Sequence, residues 1–405
     1  MTNFPFFISQ RIRKPDVTSF SATVSKIGTT SVALGVAVGI VAFSVLLGFK
    51  ETIKQKIFLF GAHYQVTKLS LNSSFEELPI PLHSPVYDQP TAGIAHRQGV
   101  AHKAGILKTA NELHGAVIKG VGKDYDWAAL KNTLIAGRII AFADSGYSNE
   151  IVVSNTIAKT LQLKIGQSVV MYFVQNPPRA RKLKVVGIYE TNVEEFDNQL
   201  VIGDIALVQK LNGWGRDSVG TIEFFVQDFA QIQPIEQRLK DKIGIEMRIE
   251  SVVERFPALF DWLNLLDQNT SVLMGLILFV ACFNIISVLL VMMMERTPMI
   301  GLLKTLGSPN AQIRKIFFYV GIQITIKGLI LGNIIGLGLC WLQQYFKVIP
   351  LDPVNYYMAT VPVKFNWAMI LILNAATLLL ISVILLIPVL VVGSIEPVKA
   401  LRFRK

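Results

Sequence analysis

The sequence predicts an α+β membrane protein in which four transmembrane helices carry one large α+β domain, inserted between the first and the second helix. Of its 405 residues, 52% are hydrophobic and only 17% are charged, which is too apolar for an ordinary soluble protein. Four uncharged or nearly uncharged stretches are each long enough to cross about 30 Å of hydrocarbon. Between the first two stretches, residues 50–269 alternate β-branched runs with short amphipathic segments.

The apolar stretches set the expected span boundaries. Only the third span contains a charged residue, Lys327. The first apolar run is about twice as long as a signal-peptide core and lacks a small-residue cleavage site, so we expect a retained anchor. The four predicted spans are 27–49, 270–294, 316–342 and 367–393.

Lysine and arginine near the span ends predict the orientation. Basic residues gather before the first span, between the second and third, and after the fourth. The loop between the third and fourth spans has only Lys347 and Lys364, beside Asp352. The segments expected in the cytoplasm are 1–26, 295–315 and 394–405, and those expected on the opposite side are 50–269 and 343–366.

The inserted region is expected to fold as small mixed α+β subdomains. "EIVVSNTIAKTLQL" followed by "QSVVMYFV" has the pattern of strand, helix and strand. "KETIKQKIFLF" (50–60) and "RFPALFDWLNLLDQN" (255–269) are amphipathic at helical spacing and indicate stalk helices that extend the spans. Helices lying on the membrane surface are the alternative. Residues 70–113 show no clear periodicity, and no structure is predicted there.

No motif in the sequence indicates catalysis, and we expect no catalytic residues and no metal site. The inserted region has no G-x-S-x-G, the chain has no H-E-x-x-H, and the five histidines lack paired ligand spacing. "KGVGKDYD" (119–126) resembles a phosphate loop only superficially, because Asp124 follows the lysine and the first glycine is missing. The chain is therefore expected to bind no nucleotide or other cofactor itself.

Small residues recur every fourth position on two spans, which lets helices approach closely. Glycines that are merely tolerated in lipid are the alternative interpretation. The residues of the two stripes are Ser31, Gly35 and Gly39 on the first span, and Gly328, Gly332 and Gly336 on the third.

Lys327 is a candidate functional residue inside the membrane. It lies about 16 Å into the third span, and no span contains an acidic residue to pair with it. A charge at this depth indicates a substrate path, a hydrated cavity or contact with anionic headgroups. A structural role, hydrogen-bonded to Gln323 or Asn333, is the alternative.

The loop 295–315 carries a short amphipathic helix. Thr297-Pro298 opens it and Gly307 ends it, the usual placement of these residue types. A helix of about one and a half turns gains little stability alone, so a partner groove is its best use. An interfacial turn between two spans is the alternative. Its apolar residues are Met299, Ile300, Leu302, Leu303 and Leu306.

"ERTPMIGLLKTLGSPNAQIRKIF" resembles the coupling-helix motif of the FtsX/MacB/LolC-LolE superfamily of ABC transporter membrane subunits. "SKIGTTSVALGVAVGIVAFSVLLGFKETIKQKI", "GAVIKGVGKDYD", "KVVGIYETNVEEFD" and "ALFDWLNLLDQN" are similar to segments of its LolC/LolE lipoprotein-releasing branch, so the likeness covers most of the chain. In that superfamily the coupling helix seats in the partner ATPase. The residues that the resemblance assigns to this contact are Glu295, Arg296, Met299, Ile300, Leu302, Leu303, Lys304, Leu306 and Gly307.

The resemblance implies a multi-pass protein of the cell inner membrane, with both termini in the cytoplasm and the inserted domain in the periplasm. It also implies four kinds of partner: a second permease subunit (a copy or a paralogue), a LolD-like ATPase that binds ATP and Mg, lipoprotein substrates, and a LolA-like periplasmic carrier. Nucleic acid is not expected among the partners. Lipoproteins would be extracted from the inner membrane and passed to the carrier.

Two positions depart from the family. Met299 stands where the family usually has an acidic residue, which removes one possible ion pair to the ATPase. "QNPPRARK" (175–182) occupies the position of the LolC hairpin that grips LolA, and is shorter. A solvated turn is the alternative reading of this hairpin. The residues that the resemblance assigns to carrier binding are Gln175, Asn176, Pro177, Pro178, Arg179 and Arg181.

Two other functions fit the same architecture. One is MacB-like mechanotransmission for efflux, although MacB carries its nucleotide-binding domain on the same chain and no such domain is found in this sequence. The other is FtsX-like signalling to a cell-wall hydrolase, although FtsX proteins generally have a smaller extracytoplasmic domain. A membrane-anchored periplasmic enzyme would need a catalytic constellation, which the sequence does not offer.

Overall fold

The computed structural model describes residues 4–13, 20–69, 77–143, 146–352 and 356–387. The chain divides into two compact units. The helical unit comprises Met1–Lys50, Trp262–Pro350 and Thr360–Lys405, and the sheet unit comprises Glu51–Asp261 and Leu351–Ala359. The predicted α+β class, with a β-rich domain following the N-terminal apolar helix, is confirmed.

The helices, in chain order, are α1 Phe4–Arg13, α2 Phe20–Gly61, α3 Pro85–Asp88, α4 Trp127–Lys131, α5 Asn155–Thr160, α6 Glu194–Asp197, α7 Ile205–Asn212, α8 Ile232–Lys240, α9 Val252–Arg255, α10 Pro257–Glu295, α11 Thr297–Thr305, α12 Asn310–Phe346 and α13 Trp367–Ile384. The strands are β1 Tyr64–Lys68, β2 Ile80–Pro81, β3 Ile94–Lys108, β4 Leu113–Val121, β5 Leu134–Gly137, β6 Glu150–Ser154, β7 Ser168–Phe173, β8 Arg179–Tyr189, β9 Leu200–Asp204, β10 Ser218–Val219, β11 Thr221–Val226 and β12 Met247–Ser251.

Four helices in the described part of the chain are long and apolar enough to cross a membrane, namely α2, α10, α12 and α13. Three of them extend beyond the apolar stretches. The stalk segments 50–60 and 255–269 largely continue α2 and α10, because no proline or glycine interrupts them after Pro257 opens α10. The end of the predicted fourth span and the tail 394–405 lie outside the described residues.

Helix α1 shows that part of the segment 1–26 packs along a membrane helix. The Phe6 and Tyr319 rings are 5.8 Å apart, and Gln323 Nε2 donates a hydrogen bond of 3.0 Å to Ser9 Oγ. Tyr319 and Gln323 belong to the predicted third span. The cytoplasmic location expected for residues 1–26 stays a prediction.

The two small-residue stripes face different neighbours. A Cβ on Gly332 would lie 2.6 Å from the Ala33 carbonyl oxygen, and one on Gly328 equally close to the Val32 Cβ, so the α12 stripe packs against α2. Ser31 Oγ instead accepts a hydrogen bond of 2.6 Å from Asn284 Nδ2 on α10. The stripe on α2 therefore faces α10, and each stripe supports one close helix pair. Gly35 likewise faces α10 and Gly336 faces α2, whereas Gly39 faces both Met274 on α10 and Leu373 on α13.

We expect Gly332→Leu to destabilise the chain by about 1–3 kcal/mol, because the added side chain forces α2 and α12 apart. The matched control is Gly338→Leu on the same helix, where an added Cβ would meet nothing within 4 Å. Thermal unfolding of the detergent-solubilised chain measures both variants. Equal unfolding temperatures would contradict close packing at Gly332.

The sheet unit is built around a ten-stranded sheet in the order β12-β1-β11-β3-β4-β9-β6-β8-β5, with β7 paired to β3 and β8. Most pairs are antiparallel, while β4 with β9 and β6 with β8 are parallel. Strand β3, with 15 residues, pairs with β11, β4 and β7. It lies in the region 70–113, where no structure was predicted. Buried Gln98 and Lys103 interrupt its apolar alternation, which explains why the strand was missed.

The connection between α12 and α13 contributes to the sheet unit. Residues Leu351–Ala359 group with that unit, and Lys56 Nζ on α2 donates hydrogen bonds of 2.6 Å to the carbonyls of Tyr357 and Thr191. The connection begins at Lys347, because α12 continues through Phe346. The sequence predicted a short loop over 343–366, and its packing role was not anticipated.

Candidate functional site

Helix α11 presents one side to its own unit and the other side outward. Ile300 is fully buried with Ile313 and Phe317, while Met299 and Leu303 are half-buried against the same cluster. Leu302 and Leu306 are 54% and 74% exposed. Positions 302 and 306 are one helical turn apart, so these two leucines form one outward apolar ridge.

This division corrects the predicted partner-facing set. Ile300 is not available to a partner, because it fills the core of the helical unit, and Met299 and Leu303 are only partly available. Gly307 is exposed, and its φ of +85° ends the helix in the left-handed conformation that glycine adopts without strain. Sequence periodicity identified the apolar residues but not which of them faces outward.

The charged residues of the predicted coupling site flank this ridge. Glu295 ends α10 and is exposed, while Arg296 and Lys304 are half-buried. The Nε atoms of Arg296 and of Arg314 on α12 are buried, and neither has a hydrogen-bond partner among the described residues.

The predicted carrier hairpin is a tight turn between β7 and β8. Phe173 pairs with Arg179, so only residues 174–178 form the loop. Asn176, Pro177 and Pro178 are exposed at its tip, and Gln175 is half-buried. The hairpin borders a cleft of about 800 Å³, which is also lined by Lys103, Val174 and Trp214.

The basic residues of this hairpin lie on the strand, not in the loop as the segment 175–182 implied. Arg179 is exposed at the first position of β8, with its Nη1 atom 3.5 Å from the Leu211 carbonyl. Arg181 is half-buried, and its Nη1 donates to the Ala180 carbonyl at 2.8 Å. Positions 179 and 181 therefore share one face of β8 next to the proline tip.

Lys327 is exposed on α12 and makes no hydrogen bond or ion pair within residues 4–13, 20–69, 77–143, 146–352 and 356–387. The two partners proposed from sequence are occupied elsewhere. Gln323 bonds to Ser9, and Asn333 exchanges two hydrogen bonds, of 2.6 and 3.0 Å, with Asn374 on α13. Gln323 and Asn333 therefore give no support to the structural alternative.

A buried ion pair in the sheet unit was missed by sequence reasoning. Lys119 on β4 and Glu223 on β11 are both 0% exposed, and Lys119 Nζ lies 2.7 Å from Glu223 Oε1 and 3.0 Å from Oε2. A basic residue inside "AVIKGV" and an acidic one inside "TIEFFV", both otherwise apolar strands, were the available signal.

The two charges stabilise each other. Burial lowers the pKa of Lys119, and the Glu223 carboxylate opposes that shift. Burial alone would raise the pKa of Glu223, but the charge and hydrogen bonds of Lys119, with smaller contributions from His102 and Gln98, hold this pKa below its usual value. Each group therefore favours the charged form of the other.

His63 lies just beyond the end of α2 and is buried against the Phe58 ring, with ring centroids 3.9 Å apart. Its Nδ1 accepts a hydrogen bond of 3.3 Å from the Val226 amide, and burial lowers its pKa from 6.5 to about 4. The unfolded chain binds more protons between these two values, so stability is lost as pH falls through this window.

Through His63, we expect the free energy of unfolding of the wild-type chain to fall by about 2 kcal/mol when the pH is lowered from 7 to 5. His63→Phe should remove this component, because the ring that must stay neutral is gone. Thermal unfolding of the full chain at both pH values measures the difference, with exposed His83→Gln as the control that retains it. The same pH dependence in His63→Phe and wild type would contradict the assignment.

The chain is similar to two known families and to several named proteins. Residues 29–242 match the MacB-like periplasmic core domain, and residues 271–397 match the FtsX-like permease C-terminal family. The lipoprotein-releasing system transmembrane protein LolE of Haemophilus influenzae is 23% identical, covering 98% of this chain and 99% of its own. LolC of Xylella fastidiosa is 22% identical, covering 95% of each chain.

A third relative matches less completely. The macrolide export ATP-binding/permease protein MacB of Bdellovibrio bacteriovorus is 21% identical, covering 75% of this chain and 50% of its own. With the four apolar helices, these similarities identify a multi-pass, membrane-embedded chain. Because the periplasmic core match spans more than half of the sequence, the chain belongs to the MacB-like periplasmic core domain family, joined to an FtsX-like permease C-terminal region and similar along its length to LolC and LolE.

Proposed function

We propose that the chain is the membrane subunit of an ABC transporter that extracts lipoproteins from the inner membrane and passes them to a LolA-like periplasmic carrier. The observation that carries the proposal is the share of each relative's length that this chain matches. LolC and LolE, named as lipoprotein-releasing proteins, match this chain along nearly its full length and nearly their own. MacB matches along only 50% of its own length.

In this proposal the energy comes from a separate LolD-like ATPase, which binds ATP and Mg. The outward ridge of Leu302 and Leu306 supports docking of that ATPase on α11, because an exposed apolar pair on a short helix suits a partner groove. Arg296 and Arg314, both half-buried, add positive charge that would attract acidic residues of the same partner. A second permease subunit, a copy or a paralogue, would complete the membrane part.

The proposal includes an orientation. The termini and α11 face the cytoplasm and the sheet unit faces the periplasm, as the lysine and arginine distribution favours. A cysteine at Asn176 should react with a membrane-impermeant thiol reagent added from the periplasm, and a cysteine at Ser308 should not. The opposite labelling pattern would overturn this orientation.

Reconstitution tests the function directly. The chain is purified in mild detergent with the ATPase and any second permease that accompany it, and placed in proteoliposomes that contain a lipidated lipoprotein. We expect ATP to transfer the lipoprotein to soluble carrier, where it is recovered after the vesicles are sedimented. ATP hydrolysis that leaves all lipoprotein in the vesicles would contradict lipoprotein release and favour efflux or signalling instead.

The hairpin tip is the proposed contact with the carrier. Pro177 and Pro178 have little conformational freedom to lose, and Arg179 adds a positive charge that would attract an acidic patch. Replacing both prolines with glycine and Arg179 with glutamate should lower lipoprotein transfer about tenfold while ATP hydrolysis continues.

The matched control for this variant is Lys164→Glu, which reverses an exposed charge elsewhere on the sheet unit. It should transfer lipoprotein at the wild-type rate. If the hairpin variant also transfers at that rate, the hairpin is a simple turn and the carrier docks elsewhere.

A further inference from the structure

The last carbonyl groups of α2 are held by two cations from elsewhere in the sheet unit. Lys119 Nζ donates a hydrogen bond of 2.8 Å to the Phe60 carbonyl, and Arg255 Nη1 donates one of 2.6 Å to the Gly61 carbonyl. Carbonyls at the end of a helix have no partner within the helix and carry its partial negative charge. Both contacts therefore satisfy and stabilise the end of α2.

Glu223 connects this helix end to four strands. Its carboxylate binds Lys119 from β4 and also accepts hydrogen bonds from Gln98 Nε2 on β3, at 2.7 Å, and Gln65 Nε2 on β1, at 3.0 Å. Gln98, Lys119 and Glu223 are 0% exposed. A fully satisfied buried network of this kind permits one arrangement of its members, so it resists bending at the contact.

The residue after the helix removes a further source of flexibility. Ala62 has φ of +50° and is fully buried, and its amide donates to the Phe58 carbonyl at 2.9 Å. Glycine is the usual residue in this left-handed position, because a Cβ is unfavourable there. Alanine restricts the backbone at the point where α2 would otherwise hinge.

We propose that Lys119, Glu223, Arg255 and Ala62, here called the α2 clamp, position the end of α2 rigidly on the sheet. Movement of α2 during the ATPase cycle is then delivered to the sheet, and none of it is absorbed by bending at residue 62. The clamp residues are positioning residues that act through α2. This inference rests on the proposed function, because the motion delivered is the one that drives lipoprotein release.

Ala62→Gly tests the clamp without removing a contact. Glycine tolerates the same backbone conformation and adds the freedom to leave it, so the variant should fold and hydrolyse ATP. In the reconstituted full complex we expect lipoprotein released per ATP hydrolysed to fall about fivefold or more. The matched control is Gln162→Gly, a residue with φ of +52° in the same unit but away from α2, which should keep the wild-type ratio.

A second variant removes the charges and keeps the packing. Lys119→Met with Glu223→Leu replaces the buried pair with apolar side chains of similar size, a change that often preserves stability. It also removes the cation from the Phe60 carbonyl. If the ion pair serves only stability, the folded double variant should release as much lipoprotein per ATP as wild type. If the clamp transmits motion, this ratio should fall as it does in Ala62→Gly.

Rigidity itself is measured with spin labels at exposed Gln55 on α2 and exposed Lys164, both in the sheet unit. The wild-type complex should give one narrow distance distribution with and without ATP, and Ala62→Gly a broader one. A narrow distribution or an unchanged release ratio in Ala62→Gly would overturn the clamp. If wild type hydrolyses ATP without releasing lipoprotein, the proposed function fails, while broadening in Ala62→Gly alone would still support the clamp.

Discussion

Replacing Leu302 and Leu306 together with aspartate is expected to abolish recovery of the ATPase with this chain. Both side chains are exposed on α11 and contribute no core packing, so the variant should fold. Burying a carboxylate in an apolar groove without a partner costs a few kcal/mol, so two should weaken binding at least about a hundredfold. Co-purification in mild detergent, with the ATPase identified by mass, measures the loss.

The choice of these two leucines matters for the interpretation. Leu303→Asp, the variant that the sequence favours, would also disturb the core that Leu303 packs against. Asn310→Asp is the matched control, because it adds the same charge nearby, in the exposed first turn of α12, where a negative charge is favourable. Full ATPase recovery with the double aspartate variant would show that this helix is not the docking element.

Glu223→Leu alone is expected to destabilise the chain by about 3–5 kcal/mol. The substitution leaves the Lys119 amine, which is 0% exposed in the wild-type chain, with its hydrogen bond to the Phe60 carbonyl but without a counter-ion. Gln98 and Gln65 lose an acceptor at the same time. Thermal unfolding of the detergent-solubilised chain should show a large decrease in unfolding temperature.

The double variant Lys119→Met with Glu223→Leu should recover most of that stability, because no unpaired charge remains. This recovery separates the cost of an isolated charge from the value of the pair. The control is Glu150→Leu, which breaks the ion pair between Glu150 and Arg138. This pair is more exposed than the Lys119–Glu223 pair, so the control should lower stability much less. If Glu223→Leu costs no more than this control, the pair is not the buried contact described here.

The helices and several strands were predictable because their signals are local. Uncharged or nearly uncharged stretches of more than twenty residues identified the membrane helices, and the alternation in "EIVVSNTIAKTLQL" and "QSVVMYFV" indicated β6, α5 and β7. Strand β3 was missed because Gln98 and Lys103 are buried on its faces. A strand whose polar side chains have partners on other strands does not show the usual alternation.

The candidate site was only partly predictable for the same reason. The motif identified α11, and Thr297-Pro298 and Gly307 indicated its ends. The outward side of α11 depends on the position of Ile313 and Phe317, which cover Ile300 from another helix. Likewise, the pairing register of β7 and β8 assigned Arg179 and Arg181 to a strand, and no feature of "QNPPRARK" reveals that register.

The sequence by itself determined the class of this protein, its four apolar helices, the short helix between the second and third of them, and its family resemblance. These properties depend on hydrophobic length, period and motif, which are readable within a few turns of chain. Only the tertiary structure decided that Leu302 and Leu306 face outward, and that Lys119 meets Glu223 across 104 residues to hold the end of α2. Contacts between distant segments depend on how whole elements pack, so no local pattern specifies them.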